Sequence, residues 1–256
     1  MNEAQSWRQT LGLSAREHIA LVGGGGKTTT LWSVAKELAT SAGDRVTIAT
    51  STTKAGAPPA GVPLVIWNAD AGYGQLAEDV SAAARSTSLV AVGSGVRNDR
   101  LQAVNPPVLD QLFSQDAAHV VNEADGARMK PFKAPAHHEP VLARSTTFAI
   151  IVLGRDAMRS PIDDDHLHRA ELIAQLAGAS LGSELSASHV AAIVATYISK
   201  IKCQAAAARI ALLINKLDDG PDEESERVVR AVSHLPLDRI AGACQLTMEA
   251  RLWRLR

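Results

Sequence analysis

Cysteines, net charge and long apolar runs are all scarce in this sequence, and each scarcity excludes a class of protein. Two cysteines, Cys203 and Cys244, lie far apart and form neither a disulfide framework nor a C-x-x-C site. The formal net charge of −1, from 26 basic and 27 acidic residues, does not favour a nucleic-acid-binding surface. No apolar run reaches the roughly 18 residues of a membrane-spanning helix, and the polar N-terminus lacks a signal-peptide core. We therefore expect a protein of the reducing cytoplasm that binds neither nucleic acid nor a membrane.

One short stretch, from His18 to Thr30, carries the strongest motif in the chain. An apolar run, Ile19–Val22, leads into four glycines, and a lysine and threonines then open a segment with helical periodicity. This order of strand, glycine loop and helix start is typical of a P-loop, in which backbone N–H groups and the helix N-terminus bind phosphate. The predicted nucleotide-binding residues of the loop are Gly23, Gly24, Gly25, Gly26, Lys27, Thr28 and Thr29.

Within this loop, Lys27 is expected to bind phosphate oxygens, and the Thr28 hydroxyl is expected to hold Mg²⁺. The full pattern G-x-x-x-x-G-K-[ST] fails, because Leu21 occupies the position of its first glycine. The shorter G-x-x-G-K-T that remains resembles the loops of Mur ligases, and Val22 stands where ParA/MinD-like ATPases carry a signature lysine. A glycine-rich turn without a ligand is the alternative interpretation.

Strands alternate with helices along the whole chain, and several strands are continuous apolar runs, such as Phe148–Leu153 and Ile210–Ile214. This pattern predicts a three-layer α/β fold, a P-loop NTPase-like and mostly parallel sheet with helices on both faces. We interpret residues 1–256 as a single domain and leave open a small helical insertion at about 157–200. We also expect a polar loop at residues 93–105, a helix that begins near His166, and a last strand at Arg239–Ala243.

Two acidic residues, Glu123 and Asp125, follow the apolar strand His119–Asn122. An acidic side chain in this place is the expected second Mg²⁺ contact of a P-loop enzyme, so we predict Thr28, Glu123 and Asp125 as metal-binding residues. Residues two apart in an extended chain project to the same side. One carboxylate would therefore orient Mg²⁺ while the other polarises a water molecule or another nucleophile. The predicted catalytic residues are Lys27, Glu123 and Asp125, and an acidic surface turn is the alternative.

Further polar side chains occupy strand ends and loops beside the predicted phosphate site. Hydroxyls and a lysine close the second strand, and basic side chains lie in a loop whose prolines restrict its backbone. The side chains predicted to contact the γ-phosphate or an anionic substrate beside it are Thr52, Thr53, Lys54, Lys130, Lys133, His137, His138, His168 and Arg169. Ordinary strand-end polarity, a solvated loop, and a metal site at His137, His138 and Glu139 are the alternatives.

A second motif, Asn215-Lys216-Leu217-Asp218, follows an apolar strand late in the chain. It matches the N-K-x-D motif with which GTPases read guanine, so Asn215, Lys216 and Asp218 are predicted to bind the nucleotide base. The motif favours GTP, whereas the shortened glycine loop points toward ATP-using ligases. The expected cofactor is therefore Mg²⁺ with ATP or GTP.

Together these residues resemble the family of selenium-dependent hydroxylase accessory proteins called YqeC. The segment that resembles it most specifically, residues 123–141, reads EADGARMKPFKAPAHHEPV, and residues 55–118 carry no motif that matches. The other segments that resemble the family are Val22–Thr29, Thr50–Lys54, His168-Arg169 and Asn215–Asp218. The resemblance implies a P-loop-like protein linked to the maturation of selenium-dependent molybdenum hydroxylases. Cys203 and Cys244 lie outside these segments and are not assigned to selenium chemistry.

The resulting hypothesis is a cytoplasmic, Mg²⁺-dependent protein that binds a nucleoside triphosphate and hydrolyses or transfers its γ-phosphate. It would act as an accessory factor, and its expected partners are a molybdenum hydroxylase or the proteins that mature its cofactor. One alternative is an ATP-dependent kinase or ligase for a small molecule. Another is a non-hydrolytic chaperone or scaffold that is gated by the nucleotide.

Overall fold

The computed structural model describes residues 6–43, 45–115, 117–244 and 251–255. Its strands are β1 (Glu17–Gly23), β2 (Val46–Ser51), β3 (Ala55–Gly56), β4 (Leu64–Ile66), β5 (Leu89–Gly93), β6 (Val96–Arg97), β7 (Arg100–Leu101), β8 (Ala117–Glu123), β9 (Phe148–Gly154), β10 (Arg209–Asn215), β11 (Arg239–Cys244) and β12 (Arg251–Arg254). Its α-helices are α1 (Trp7–Leu11), α2 (Lys27–Ala39), α3 (Gly72–Ala84), α4 (Pro106–Gln115), α5 (Ala170–Ala177), α6 (Ala187–Gln204) and α7 (Glu223–Val232).

Nine strands form one sheet in the order β12-β11-β10-β9-β1-β8-β2-β5-β4. Neighbouring strands in this sheet are parallel except for β11 and β12. The central strand is β1, in which Ile19 is paired with Val121 of β8 and with Phe148 of β9. The prediction of an α/β fold with a mostly parallel sheet is confirmed. Because parallel strands end at one edge, the residues that follow β1, β8, β9 and β10 lie along that same edge.

Alternate residues of β1 point to opposite faces of the sheet, and both faces are buried. Ile19 and Leu21 pack with α1 and α2 on one face. Ala20 and Val22 point to the other face, where α5, α6 and α7 complete the core. A third apolar cluster joins β2, β5 and β8 to α3 and α4. The continuous apolar strands in the sequence therefore reflect burial on both faces of the sheet.

The connection from β9 to β10 carries two helices that cover the sheet. The apolar side chains of α5 and α6 join the same core cluster as β9 and β10. The helix α5 begins at Ala170 and not near His166, because Arg169 adopts a left-handed φ of 65° that an α-helix does not accommodate. Among the described residues, no helix is both long enough and apolar enough to cross a bilayer.

Two further expectations about the chain are wrong. Residues 93–105 are not a plain polar loop, because β6 and β7 pair across Asn98 and Asp99 and β3 adds a third strand. Asn98 and Asp99 have φ values of 51° and 54°, as a tight two-residue hairpin turn requires. The strand at Arg239–Cys244 is not the last one, since β12 follows it in antiparallel pairing. These strands are too short for hydrophobic alternation to reveal them.

The core predicts a large stability difference between two leucine substitutions. Leu213 in β10 is fully buried, so Leu213→Ala should lower the free energy of unfolding by about 2–5 kcal/mol through lost burial and a cavity. Leu181 is 58% exposed, and Leu181→Ala should change stability by less than about 0.5 kcal/mol. Urea unfolding followed by circular dichroism measures both. Equal losses in the two variants would contradict the placement of β10 in the core.

Candidate functional site

The glycine loop lies at the edge of the sheet where β1 ends, between the ends of its neighbours. Gly25 has a φ of +82°, and a Cβ there would lie 2.2 Å from the backbone nitrogen of Gly154. Gly26 has a φ of +113°, and a Cβ there would lie 2.3 Å from Nδ2 of Asn215. Both positions therefore require glycine, because the loop is pressed against the residues that end β9 and β10.

The first three glycines of this loop have backbone N–H groups that bind protein acceptors, whereas the helix start that follows has no side-chain cap. The Gly23 N–H donates to Oδ2 of Asp125 at 3.0 Å, and the Gly24 and Gly25 N–H groups donate to the carbonyls of Val152 and Lys130 at 2.9 and 3.0 Å. The following helix α2 has Gly26 as its N-cap residue and no side-chain cap. Its first turn therefore keeps N–H groups and a positive dipole end for an anion, whereas the first three glycine N–H groups are occupied.

Lys27, the first residue of α2, is buried and folds back under the loop. Its Nζ donates to the carbonyl of Gly23 at 2.7 Å and lies 3.3 Å from Oδ1 of Asp125. Asp125 is fully buried, and its Oδ2 also accepts a hydrogen bond from the Tyr197 hydroxyl at 2.8 Å. Burial and the nearby Asp125 charge both raise the pKa of Tyr197, which therefore stays protonated as the donor.

A line of alternating charges extends from Asp125 toward the surface. Lys133 is fully buried, and its Nζ lies 3.2 Å from Oδ2 of Asp125 and 2.5 Å from Oε2 of Glu139. Arg169 then binds both oxygens of Glu139, at 2.5 and 3.0 Å. Burial acts to raise the pKa of Glu139, but hydrogen bonds from Arg169 and Lys133 outweigh it and hold that pKa at about 2. Burial lowers the pKa of Lys133, and Asp125 partly offsets this effect.

Thr28 and Glu123 form the part of the site that fits a divalent cation. The Thr28 hydroxyl donates to Oε1 of Glu123 at 2.5 Å. Burial raises the pKa of Glu123, while Lys27 and the Thr28 hydrogen bond partly offset that rise. A hydroxyl and a carboxylate are hard oxygen ligands of the kind that Mg²⁺ prefers. In the described ranges no three His, Cys, Asp or Glu side chains form a metal cluster, so a cation here would also need phosphate or water ligands.

Two cavities open above this edge of the sheet. The larger one, which we call the loop cavity, has a volume of about 860 Å³. It is lined by Gly25, Gly26, Lys27, Thr28, Thr29, Thr53, Lys54, Ala55, Gly56, Arg100, Glu123, Gly126, Ala127, Arg128, Met129, Lys130, Glu139 and Lys216. The second, which we call the basic pocket, has a volume of about 560 Å³. It is lined by Gly126, Arg128, Lys130, Glu139, Asp164, His168 and Arg169.

The Asn215–Asp218 segment begins at the last residue of β10 and contacts the glycine loop. Asn215 Nδ2 donates to the carbonyl of Gly25 at 2.8 Å. Lys216 has a φ of 63°, and its Nζ lies 2.6 Å from Oδ2 of the partly exposed Asp156. Asp218 lies 3.8 Å from the Cys244 thiol at the end of β11. The segment therefore joins the loop to the end of β11, one strand further along the sheet.

Comparison with known proteins identifies the family. Residues 19–171, more than half of the chain, match the family model described as YqeC protein. A protein of Escherichia coli (strain K12), named "Uncharacterized protein YqeC", is 30% identical over 179 residues, which cover 69% of this chain and 66% of that protein. The chain belongs to the YqeC family. The family model covers the glycine loop and residues as far as Arg169, but it ends before Asn215.

In this YqeC-family chain, some predicted substrate residues meet at the cavities and others do not. Thr53, Lys54 and Lys130 line the loop cavity, and His168 and Arg169 line the basic pocket. The residues that line neither cavity are Thr52, Lys133, His137 and His138. Thr52 instead donates to the carbonyl of Val141 at 2.7 Å, Lys133 is buried in ion pairs, and the two exposed histidine rings contact each other.

Two arginines at the site of this YqeC-family chain were not among the predicted site residues. Arg100 belongs to β7 of the small sheet and lines the loop cavity. Arg128 lines both cavities. Arg128 lies in the segment with the most specific resemblance, so its position there was the available signal. Arg100 had no such signal, because only the pairing of β3, β6 and β7 places it beside the glycine loop.

The pKa of Glu139 predicts a pH dependence of stability. Its folded-state pKa of about 2 lies below the ordinary 4.5, so its stabilising effect is complete above about pH 4.5 and is lost as the pH falls toward 2. The gap in unfolding free energy between wild type and Glu139→Gln should therefore be widest above pH 5 and shrink by ~3 kcal/mol by pH 2. Urea unfolding across this range measures the gap.

Glu171→Gln is the matched control, because Glu171 is exposed on α5. This variant should follow the wild-type pH profile throughout. Parallel profiles for Glu139→Gln and wild type would contradict the ion pairing of Glu139 with Lys133 and Arg169.

Proposed function

We propose that the loop cavity binds a nucleoside triphosphate with Mg²⁺ and that the protein hydrolyses or transfers its γ-phosphate, as a P-loop NTPase-like protein does. One observation carries the proposal: a glycine loop ends in an uncapped helix N-terminus that opens, with Lys27 and Thr28, onto the cavity of about 860 Å³. A phosphate group is the ligand that such N–H groups and a lysine bind best.

Each residue of the loop has a distinct part in this proposal. The first-turn N–H groups of α2 hold the phosphates, and Lys27 exchanges its contact with the Gly23 carbonyl for a phosphate oxygen. Thr28 and Glu123 would hold Mg²⁺, which would supply neutralisation of phosphate charge. Lys54 and Arg100 line the same cavity and add positive charge where negative charge develops during transfer.

Asp125 is assigned a different role from the metal ligand that its spacing suggested. It is fully buried, and it contacts Lys27, Lys133, the Tyr197 hydroxyl and the Gly23 N–H. A carboxylate that is enclosed in this way is a poor ligand for an incoming hydrated cation. We therefore assign Asp125 as the positioning residue that orients Lys27, and we assign the carboxylate contact of Mg²⁺ to Glu123.

The base of the nucleotide is proposed to lie against the Asn215–Asp218 segment. The Asn215 side chain donates its hydrogen bond to the Gly25 carbonyl of the glycine loop. Lys216 lines the loop cavity, and Asp218 is exposed but does not line it. The exposed Asp218 carboxylate, whose Oδ1 also lies 3.8 Å from the Cys244 thiol, would accept hydrogen bonds from a base. A carboxylate acceptor suits the two donor groups of guanine, and we therefore propose GTP in preference to ATP.

The family supports a biological setting for this chemistry. The resemblance described above links the YqeC family to the maturation of selenium-dependent molybdenum hydroxylases, and we propose an accessory role in that process. A non-hydrolytic scaffold gated by the nucleotide is the competing function. Tight binding of the nucleotide without turnover by the wild-type protein, together with nucleotide-dependent binding to a hydroxylase subunit, would favour the scaffold.

Removal of the loop lysine tests the nucleotide proposal. Lys27→Ala should lower turnover of the triphosphate roughly 100-fold, because one preorganised charge that stabilises the transferring phosphate is lost. Release of inorganic phosphate and calorimetric titration of the nucleotide with Mg²⁺ measure turnover and affinity. The matched control is Lys36→Ala, since Lys36 is exposed on the same helix α2.

The control variant should behave as wild type in both assays. Thermal unfolding of Lys27→Ala shows whether it remains folded, because Lys27 also neutralises Asp125. A folded Lys27→Ala protein with wild-type turnover and affinity would contradict the proposed function.

The identity of the base is tested at Asp218. Asp218→Ala should weaken GTP binding by about tenfold to 100-fold and leave ATP binding nearly unchanged, because hydrogen bonds to a charged acceptor are lost only for guanine. Dissociation constants for GTP and ATP with Mg²⁺ measure the preference. Asp219→Ala, which changes the neighbouring exposed aspartate, should keep the wild-type preference. If Asp218→Ala and wild type prefer the same nucleotide by the same ratio, the guanine assignment is wrong.

A further inference from the structure

The basic pocket opens directly beside the loop cavity. The two cavities share Gly126, Arg128, Lys130 and Glu139 as lining residues. A volume of about 560 Å³ lies in the range of pockets that bind small molecules. A molecule in the basic pocket would therefore be adjacent to the nucleotide proposed for the loop cavity.

Both carboxylates of the basic pocket, Glu139 and Asp164, have hydrogen-bond partners within the protein. Glu139 is bound by Lys133 and by both terminal nitrogens of Arg169. Asp164 Oδ1 accepts a hydrogen bond from the Ala170 N–H at 3.2 Å, at the start of α5. The charge of Glu139 is therefore neutralised by two cations, whereas the backbone contact of Asp164 leaves its charge uncancelled, and Asp164 is the one lining carboxylate without an ion pair among the described residues.

Two lining cations, Arg128 and Lys130, have no ion pair among the described residues, so unpaired positive charge exceeds the single unpaired charge of Asp164. Lys130 Nζ donates to the carbonyl of Asp165, which neutralises none of its charge. Arg128 is exposed, and the described residues give its guanidinium no ion-pair partner. Burial, and then the charges of Arg169 and Lys133, lower the pKa of His168 to about 4, so its ring is neutral at pH 7 and can form hydrogen bonds. The pocket thus keeps unpaired positive charge at Arg128.

The backbone holds Arg128 at the boundary between the two cavities. Arg128 and Met129 have consecutive positive φ values of 48° and 61°, a backbone conformation that is unfavourable for residues other than glycine. The turn is closed by the Lys130 N–H, which donates to the carbonyl of Ala127 at 2.9 Å. The Lys130 carbonyl in turn accepts the Gly25 N–H of the glycine loop. The strained turn is therefore anchored to the glycine loop itself.

We propose that the basic pocket binds the anionic oxygen group, a carboxylate or a phosphate, of a small second substrate, with Arg128 as the principal contact. Arg169 is held by Glu139 at the wall of the pocket and assists. This inference rests on the proposed function, because the second substrate is the molecule that would lie beside the bound nucleotide. A guanidinium binds carboxylates and phosphates through paired hydrogen bonds, so both groups share the chemistry of the site.

The test uses the full chain saturated with Mg²⁺ and a non-hydrolysable triphosphate analogue, so that the loop cavity is filled. Sodium succinate and inorganic phosphate are then titrated separately by calorimetry at matched ionic strength. We expect at least one of them to bind, and Arg128→Gln to weaken that binding by about tenfold or more, because a charge-assisted contact is lost. Arg85→Gln, which changes an exposed arginine at the end of α3, should bind the probe as wild type does.

The outcomes separate this inference from the proposed function. Binding of succinate alone assigns a carboxylate substrate, and binding of phosphate alone assigns a phosphorylated one. If the nucleotide analogue binds but neither probe does, or if Arg128→Gln binds the probe as tightly as wild type, this inference is overturned and the proposed function stands. If the nucleotide analogue does not bind to the wild-type protein, both are overturned.

Discussion

The buried carboxylate of Asp125 is the interaction on which the site depends. A charged group without exposure to solvent requires paired charges and hydrogen bonds, because its transfer from water is costly. Asp125 obtains them from the Gly23 N–H, the Tyr197 hydroxyl, Lys27 and Lys133. These partners belong to the end of β1, helix α6, the start of α2 and the loop after β8. One side chain therefore connects four separate segments of the fold.

The contact between Asp125 and Lys27 keeps the lysine amine near the glycine loop without fixing the direction of its N–H groups. Oδ1 of Asp125 lies 3.3 Å from the Lys27 Nζ, yet no hydrogen bond to a described atom satisfies it. The attraction is therefore mainly electrostatic and does not impose one angle on the amine. In the proposed function, Lys27 turns from the Gly23 carbonyl toward a phosphate oxygen while it stays close to Asp125, and the new hydrogen bond replaces the buried one that is lost.

The same network connects the two cavities. Glu139 lines both of them and contacts Lys133, which in turn contacts Asp125. Arg169 extends the line of charges to the wall of the basic pocket. In the proposed function, a nucleotide in one cavity and a second substrate in the other would therefore contact opposite ends of one charged network. The network starts at Asp125, just after the end of β8, and β8 lies beside β1 in the sheet.

Local patterns in the sequence predicted the parallel sheet, the glycine loop after β1 and the acidic residues Glu123 and Asp125 at and just after the end of β8, because apolar periodicity and glycine conformation are local properties. Which polar side chains face a cavity depends on contacts between segments that are far apart in the chain. The sequence predicted a metal ligand at Asp125 and a substrate contact at Lys133, yet both side chains are fully buried, and Asp125 contacts both Tyr197 of α6 and Lys133. Arg100 reaches the loop cavity only through the pairing of three short strands. Such outcomes depend on contacts between segments that are distant in the chain, and no local pattern records them.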